Sequence, residues 1–143
     1  MNERIRNIAV GLIVREGWVL AEEYAATDQH PRFLRALGGG IDFGELAEDA
    51  VRREFAEELG VDLSETRLLA VTENRFTLAG RRGHEIVHVF AIRCQELEAM
   101  PVEERRRVLD SRAVAGWFRL DDLGDDTLPF YPQGIVEIAR GLS

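Results

Sequence analysis

The stretch that decides the fold runs from Gly39 to Val61 and reads GGIDFGELAEDAVRREFAEELGV. Within it, apolar side chains recur every four positions, at Ala47, Val51, Phe55 and Leu59. This spacing places them on one face of an α-helix. Gly60 follows at the position where a left-handed residue commonly ends a helix. The sequence therefore predicts an amphipathic helix over residues 46–59, preceded by a glycine-rich segment.

Three carboxylates of this helix start at the edge of its apolar face and run outward. At about 100° per residue, Glu58 projects inside the apolar stripe, Glu54 lies near its edge and Glu57 lies beyond it. Burying an unpaired carboxylate is costly, and like charges four residues apart repel each other. Mg²⁺ or Mn²⁺ would compensate, because both ions prefer hard oxygen ligands. The pattern favours a metal site, and its alternative is a charged face that aids solubility.

The glycines at positions 38–40 come directly before this helix. Glycine allows a close backbone approach that a side chain would block, so a carbonyl here could join the ligands of a metal. The alternative interpretation is a simple tight turn.

A longer pattern links the glycines to the helix. Gly39, five residues, Glu45, seven residues and then the segment REFAEELGV over 53–61 match every position of the Nudix box, so the chain resembles the Nudix (MutT-like) hydrolase family. The resemblance implies an α/β (α+β) fold, an α/β/α sandwich with a mixed central sheet, in a single domain over 1–143.

The resemblance also implies roles for the box residues. The metal ligands would be the carbonyl of Gly39 and the carboxylates of Glu54, Glu57 and Glu58. The residues assigned to catalysis are Glu54, Glu57, Arg53 and Glu45. Arg53 and Glu45 would orient the cluster, although Arg53 and Glu57 are also four residues apart and could pair directly.

The general base is open between two regions. Glu54 is the first choice, because the base of a Nudix hydrolase lies either within the box or in a later loop. Glu103 and Glu104, in the charged connection 96–112, are the alternatives. Their other interpretation is pairing with the arginines at 105–107 on a surface helix.

The resemblance predicts hydrolysis of a phosphoanhydride bond in a nucleoside-diphosphate-linked substrate, with nucleoside triphosphates or similar small derivatives as the first expectation. Arg35 could bind a substrate phosphate, and Phe76 could stack on a base. ADP-ribose, nucleotide sugars and dinucleoside polyphosphates are alternative substrates. Residues 76–79 read FTLA, with neither the proline nor the tyrosine that mark two of those subfamilies. A rival from another class is a nucleotide-sensing protein that does not cleave its ligand.

Composition restricts partners and location. The net charge of −8 opposes binding to nucleic acid or anionic membranes, which require a basic surface. No apolar run approaches the roughly 18–20 residues that span a bilayer, and residues 1–6 lack the layout of a signal peptide. Cys94 is the only cysteine, which fits a reducing cytoplasm. We expect a cytoplasmic protein with a small nucleotide as its partner; a homodimer is compatible with the resemblance.

The rest of the chain alternates between apolar runs and turn signals. A hairpin is predicted between 5–14 and 18–24, around the turn at 15–17. Further strands are predicted over 33–37, 66–78, 84–94 and 115–120, and further helices over 102–109 and 133–142.

Overall fold

The computed structural model describes residues 3–109, 111–124 and 127–142. The elements in chain order are β1 (Ile5–Leu12), β2 (Val14–Arg15), β3 (Trp18–Tyr24), β4 (Phe33–Arg35), β5 (Leu37–Gly40), α1 (Ala47–Leu59), β6 (Glu65–Leu78), β7 (Arg81–Arg93), α2 (Gln95–Glu98), β8 (Arg105–Arg107), β9 (Val114–Arg119), a 3₁₀ turn (Leu120–Asp122), β10 (Phe130–Tyr131) and α3 (Ile135–Arg140).

The strands form two mixed sheets. The first has the order β5-β1-β7-β6, in which β1 and β7 run parallel and the other pairs antiparallel. The second has the order β10-β4-β3-β9-β8, with β2 on β3 and a parallel pair between β10 and β4. The predicted α/β class with mixed strand directions is confirmed. The strands are divided between two sheets rather than gathered in one central sheet.

The predicted hairpin of 5–14 with 18–24 is wrong for most of its length. Only β2 pairs with β3, whereas β1 pairs with β5 and β7 in the other sheet. The reason is that β1 is buried on both faces. Ile8 and Val10 pack into one core cluster, and Ala9 packs into the other. A strand with two apolar faces is favoured at the centre of a sheet with covered faces.

The connection after β7 also differs from its prediction. The helix expected over 102–109 is absent, since residues 105–107 form β8, and the short helix in this region is α2. Pairing with β9 overrides the local preference, and Arg105 lies opposite Gly116. A Cβ on Gly116 would lie 2.6 Å from the Arg105 Cδ atom, so this glycine makes room for the arginine side chain.

The helix α1 follows its prediction closely. It ends at Leu59, and Gly60 adopts a left-handed φ of 68°. Val51 and Phe55 are fully buried in the core cluster that also contains Trp117. The helix predicted over 133–142 is the shorter α3, whose residues pack into the second cluster. None of the helices in the described ranges is long and apolar enough to cross a membrane.

Candidate active site

The glycine-rich segment is the strand β5, which pairs with β1 rather than forming a tight turn. At Gly38, a Cβ would lie 2.1 Å from the Ala9 carbonyl oxygen. At Gly39, a Cβ would lie 2.6 Å from the Glu54 Cδ atom. Only glycine therefore lets the Glu54 carboxylate lie against the β5 backbone. This contact brings the strand and the helix together at one site.

Glu57 is the most exposed of the three box carboxylates, as the helix predicted. The Glu57 side chain is 60% exposed, and the Glu54 side chain is 16% exposed. The Glu58 Oε1 atom is buried and has no hydrogen-bond partner within the described residues. The cluster therefore extends from solvent at Glu57 into the interior at Glu58.

Arg53 joins the strand, the loop and the helix of the site. Its Nε and Nη2 atoms donate to the two carboxylate oxygens of Glu45 at 2.8 Å and 2.9 Å. Nη2 also donates to the Gly40 carbonyl oxygen at 2.9 Å. Nη1 donates to Glu54 at 3.0 Å and to Glu57 at 3.4 Å. Both pairings considered from the sequence, with Glu45 and with Glu57, are thus present.

Glu45 has a fixed orientation as well. Its Oε1 atom accepts a hydrogen bond from the Asp42 backbone N–H at 3.0 Å. The hydrogen bond from Arg53, followed by the one from Asp42, lowers the pKa of Glu45 to about 2. Glu45 is thus a permanent anion that holds Arg53 in place.

We expect Arg53→Lys to reduce kcat by about 100-fold, the upper end of the range for residues that orient a metal's ligands. Lysine keeps the positive charge but lacks the planar fork that reaches Glu45, Gly40 and Glu54 together. Steady-state kinetics would measure the loss, and circular dichroism would verify the fold. Wild-type kinetics in Arg53→Lys would contradict the positioning role. Arg52→Lys, in the neighbouring position on α1, is the matched control.

A fourth carboxylate, Glu22 on β3, lies in the same site although no Nudix box position predicts it. Its residue exposure is 4%, and its Oε1 atom accepts a hydrogen bond from the Tyr24 hydroxyl at 3.0 Å. Its Oε2 atom is buried without a partner in the described part of the chain. The period of two along β3 places Glu22 on the same face as buried Leu20 and half-buried Tyr24, and that signal could have found it.

Burial and mutual repulsion perturb these carboxylates. Burial, followed by the charges of Glu22 and Glu54, raises the pKa of Glu58 to about 8. Burial likewise raises the pKa of Glu22 to about 7, opposed by the Tyr24 hydrogen bond and by the charge of Arg35. The positive charge of Arg35 thus opposes the rise in pKa of both Glu22 and Glu58. The site holds more negative charge than its own residues neutralise.

A divalent cation fits this arrangement. The donors are hard oxygens, two buried carboxylate oxygens have no partner among the described residues, and the Gly39 backbone lies against the Glu54 carboxylate. No three His, Cys, Asp or Glu side chains within 3–109, 111–124 and 127–142 form a ready-made metal cage. Mg²⁺ does not require one, because it is usually bound by one or two carboxylates together with water and substrate phosphates.

Comparison with known proteins agrees with this geometry. The model of the NUDIX domain family matches residues 5–137. The chain belongs to the NUDIX domain family. It is similar to the crystal structure of the MutT NUDIX hydrolase from Burkholderia pseudomallei, with 27% identity, 96% coverage of each chain and a TM-score of 0.58. It also shares its fold with the MutT protein from Bacillus halodurans, with 18% identity, coverage of 94% of this chain and 80% of that chain, and a TM-score of 0.63.

As a NUDIX hydrolase, the chain also carries a cleft next to the acidic cluster, because Arg35 lines the cleft and lies opposite Glu22 in the strand pairing. The cleft has a volume of about 180 Å³, and its lining includes Phe33, Arg35, Phe76, Glu85 and Tyr131. Arg35 donates from Nη2 to Glu85 at 3.4 Å, and the Phe33 and Tyr131 rings meet edge to face at 5.7 Å. Arg35 and Phe76, the two substrate contacts predicted from the sequence, therefore line one cavity.

The NUDIX box and the later charged connection meet at Leu109. Glu104 binds Arg106 at 2.8 Å, and Glu103 is exposed. Neither glutamate hydrogen-bonds to a carboxylate of α1 within the described residues. The Leu109 backbone N–H instead donates to the Glu58 carbonyl oxygen at 3.0 Å. The end of the connection, rather than its two glutamates, reaches the box helix.

Proposed function

We propose that this NUDIX hydrolase cleaves a phosphoanhydride bond in a nucleoside-diphosphate-linked substrate, with nucleoside triphosphates or similar small nucleotides as the first class. The observation that carries the proposal is the unpartnered Oε1 atom of Glu58, buried beside further carboxylates. As an anion such a group is unfavourable unless a cation joins it, and without a cation its raised pKa favours the protonated form. Arg35 connects this acidic cluster to an aromatic cleft.

Mg²⁺ or Mn²⁺ would be held by the Gly39 carbonyl oxygen and the carboxylates of Glu54, Glu57 and Glu58. When bound, the metal neutralises the diphosphate and lowers the pKa of a bound water. Members of the NUDIX family typically depend on divalent metal, in agreement with this donor set.

The residues around the donors have separable tasks. Glu54 is the first candidate for the base that accepts the proton of the attacking water. Its carboxylate is held against Gly39 and by Arg53 at 3.0 Å, so its direction is fixed before substrate arrives. Glu45 fixes Arg53 in turn. Glu104 is less suited to the task, because Arg106 already holds it.

Arg35 and the cleft would bind the rest of the substrate. Arg35 lines the cleft and lies opposite Glu22 of the acidic cluster, and its guanidinium fork suits phosphate oxygens. Phe76 is 42% exposed and supplies a face on which a nucleobase can stack. The diphosphate would therefore lie at Arg35, with the nucleoside directed into the cleft.

The test is a screen of nucleoside triphosphates and nucleoside diphosphate derivatives with Mg²⁺, with Mn²⁺ and with EDTA, in which products are identified by mass. We expect turnover of nucleotides in either metal and none in EDTA. Stabilisation of the protein by a nucleotide in a thermal-shift assay, without turnover of any compound, would support a non-catalytic sensor instead. Hydrolysis that persists undiminished in EDTA would contradict the metal assignment.

A further inference from the structure

A second cavity adjoins the cleft, at the end of the first sheet where β1 begins and where β6 is joined to β7. An open groove of about 870 Å³ is lined by four arginines, together with Phe76 and Glu85, and we name it the arginine groove. The four arginines are Arg4, Arg6, Arg81 and Arg82. The chain has no lysine and a net charge of −8, so this concentration of positive charge contrasts with the rest of the molecule.

The period of two along the strands produces the groove. Arg4 and Arg6 lie on the same face as Ile8, which is fully buried. Arg6 pairs with Glu85, and Ile8 pairs with Val87, on the neighbouring strand β7. Along this face of the sheet, the residues thus change from arginine at positions 4 and 6 to buried apolar side chains from Ile8 onward.

The groove and the cleft are continuous. Phe76 and Glu85 line both, and Glu85 contacts Arg35 on the cleft side and Arg6 on the groove side, at 3.4 Å and 3.5 Å. Phe76 is held flat across Gly83, where a Cβ would lie 2.2 Å from the ring. A base stacked on Phe76 in the cleft would therefore lie next to the arginine groove.

Two carboxylates of the groove each bind one of its arginines. Glu3 binds Arg82 through two contacts of 2.7 Å, and Glu85 binds Arg6 at the longer distance of 3.5 Å. Arg4 is exposed and forms no hydrogen bond or ion pair within the described residues. Guanidinium groups recognise phosphate through paired N–H donors, so a phosphate would complete this set of contacts.

We propose that the arginine groove binds a phosphate carried on the ribose, so that the enzyme favours nucleotides with a 3′-phosphate in addition to the 5′-diphosphate. The inference rests on the proposed function for the position of the diphosphate at Arg35. Arg35 and Arg6 contact the same Glu85 Oε2 atom at 3.4 Å and 3.5 Å, so their guanidinium nitrogens lie within about 7 Å of each other. That separation is on the scale of one nucleoside, which would connect the two anionic groups across Phe76.

The test is calorimetric titration in EDTA with adenosine 3′,5′-bisphosphate and with adenosine 5′-monophosphate, which needs neither metal nor turnover. We expect the wild-type protein to bind the bisphosphate about tenfold more tightly. In Arg4→Gln/Arg82→Gln, the two affinities should become nearly equal. In Glu3→Gln, the preference should increase, because Arg82 loses its competing carboxylate. Raising the salt concentration should reduce the preference, because the groove is exposed.

The matched control is Arg67→Gln/Arg119→Gln, which removes the same charge from two exposed positions outside the groove and should keep the wild-type preference. Equal binding of both compounds by wild type would overturn the inference, as would a preference that survives in Arg4→Gln/Arg82→Gln. The outcome is separable from the hydrolase proposal. A lack of turnover would contradict that proposal without altering the affinity ratio measured in EDTA.

Discussion

Glu58→Gln is expected to lower kcat by about 10³-fold or more while the protein remains folded. A metal contributes several kcal/mol of charge stabilisation to such a reaction, and a loss of about 4 kcal/mol corresponds to this factor. Glutamine retains the shape of the side chain but removes the negative charge that faces the metal position. Steady-state kinetics with saturating Mg²⁺ would measure the loss.

The same substitution should stabilise the metal-free protein at neutral and higher pH. Burial, followed by the negative charges of nearby glutamates, raises the pKa of Glu58 from 4.5 to about 8. These glutamates are Glu22, Glu54 and Glu57, and the charge of Arg35 opposes them. The folded protein thus binds this proton more tightly than the unfolded chain does. Wild type in EDTA therefore loses the stability that this proton contributes as pH rises from about 4.5 through about 8, whereas Glu58→Gln has no such loss at position 58. The Tm of Glu58→Gln relative to wild type should increase over this range.

Two further variants separate a role in the site from a general effect of charge. Glu57→Gln should also abolish turnover but should change the metal-free Tm little, because its side chain is 60% exposed. Glu137→Gln removes an exposed carboxylate from α3 and should change neither quantity. Full activity in both Glu57→Gln and Glu58→Gln would refute the assignment of these residues to the metal.

Gly39→Ala is expected to reduce kcat by about 100-fold with little loss of stability. The new Cβ would meet the Glu54 carboxylate at 2.6 Å, and that carboxylate is the end of a flexible side chain. The fold can therefore adapt by displacing Glu54, but the displaced carboxylate leaves both Arg53 and the metal position. Displacements of this size in a positioned catalytic group commonly cost such a factor.

Gly40→Ala is the matched control, since a Cβ there would meet nothing within 4 Å. Its carbonyl oxygen is retained, so the hydrogen bond from Arg53 remains. We expect near wild-type kinetics for Gly40→Ala and a large defect for Gly39→Ala, measured side by side with thermal denaturation. Equal kinetics in the two variants would show that contact between Glu54 and Gly39 is unimportant for turnover.

The sequence by itself determined the helix of the box and the carboxylate that lies outermost on it. The apolar repeat that ends at Leu59 predicted α1, and a rotation of about 100° per residue predicted that Glu57 lies farther from the apolar face than Glu54. Both are properties of one continuous segment, in which a fixed rotation per residue determines which side chains share a face. The spacing of the box residues also carried the resemblance to the family that the family model bears out.

Only the tertiary structure decided what surrounds that helix. Glu22 and Glu85 reach the site from strands of two different sheets, and no spacing in the sequence connects them to α1. The pairing of β1 with β5 and β7 overturned the predicted hairpin, because a strand that is apolar on both faces gains more from a central position. Partner choice between distant strands depends on the burial available in the whole fold. Periodicity within a segment shows which faces must be covered, and the assembled sheets decide what covers them.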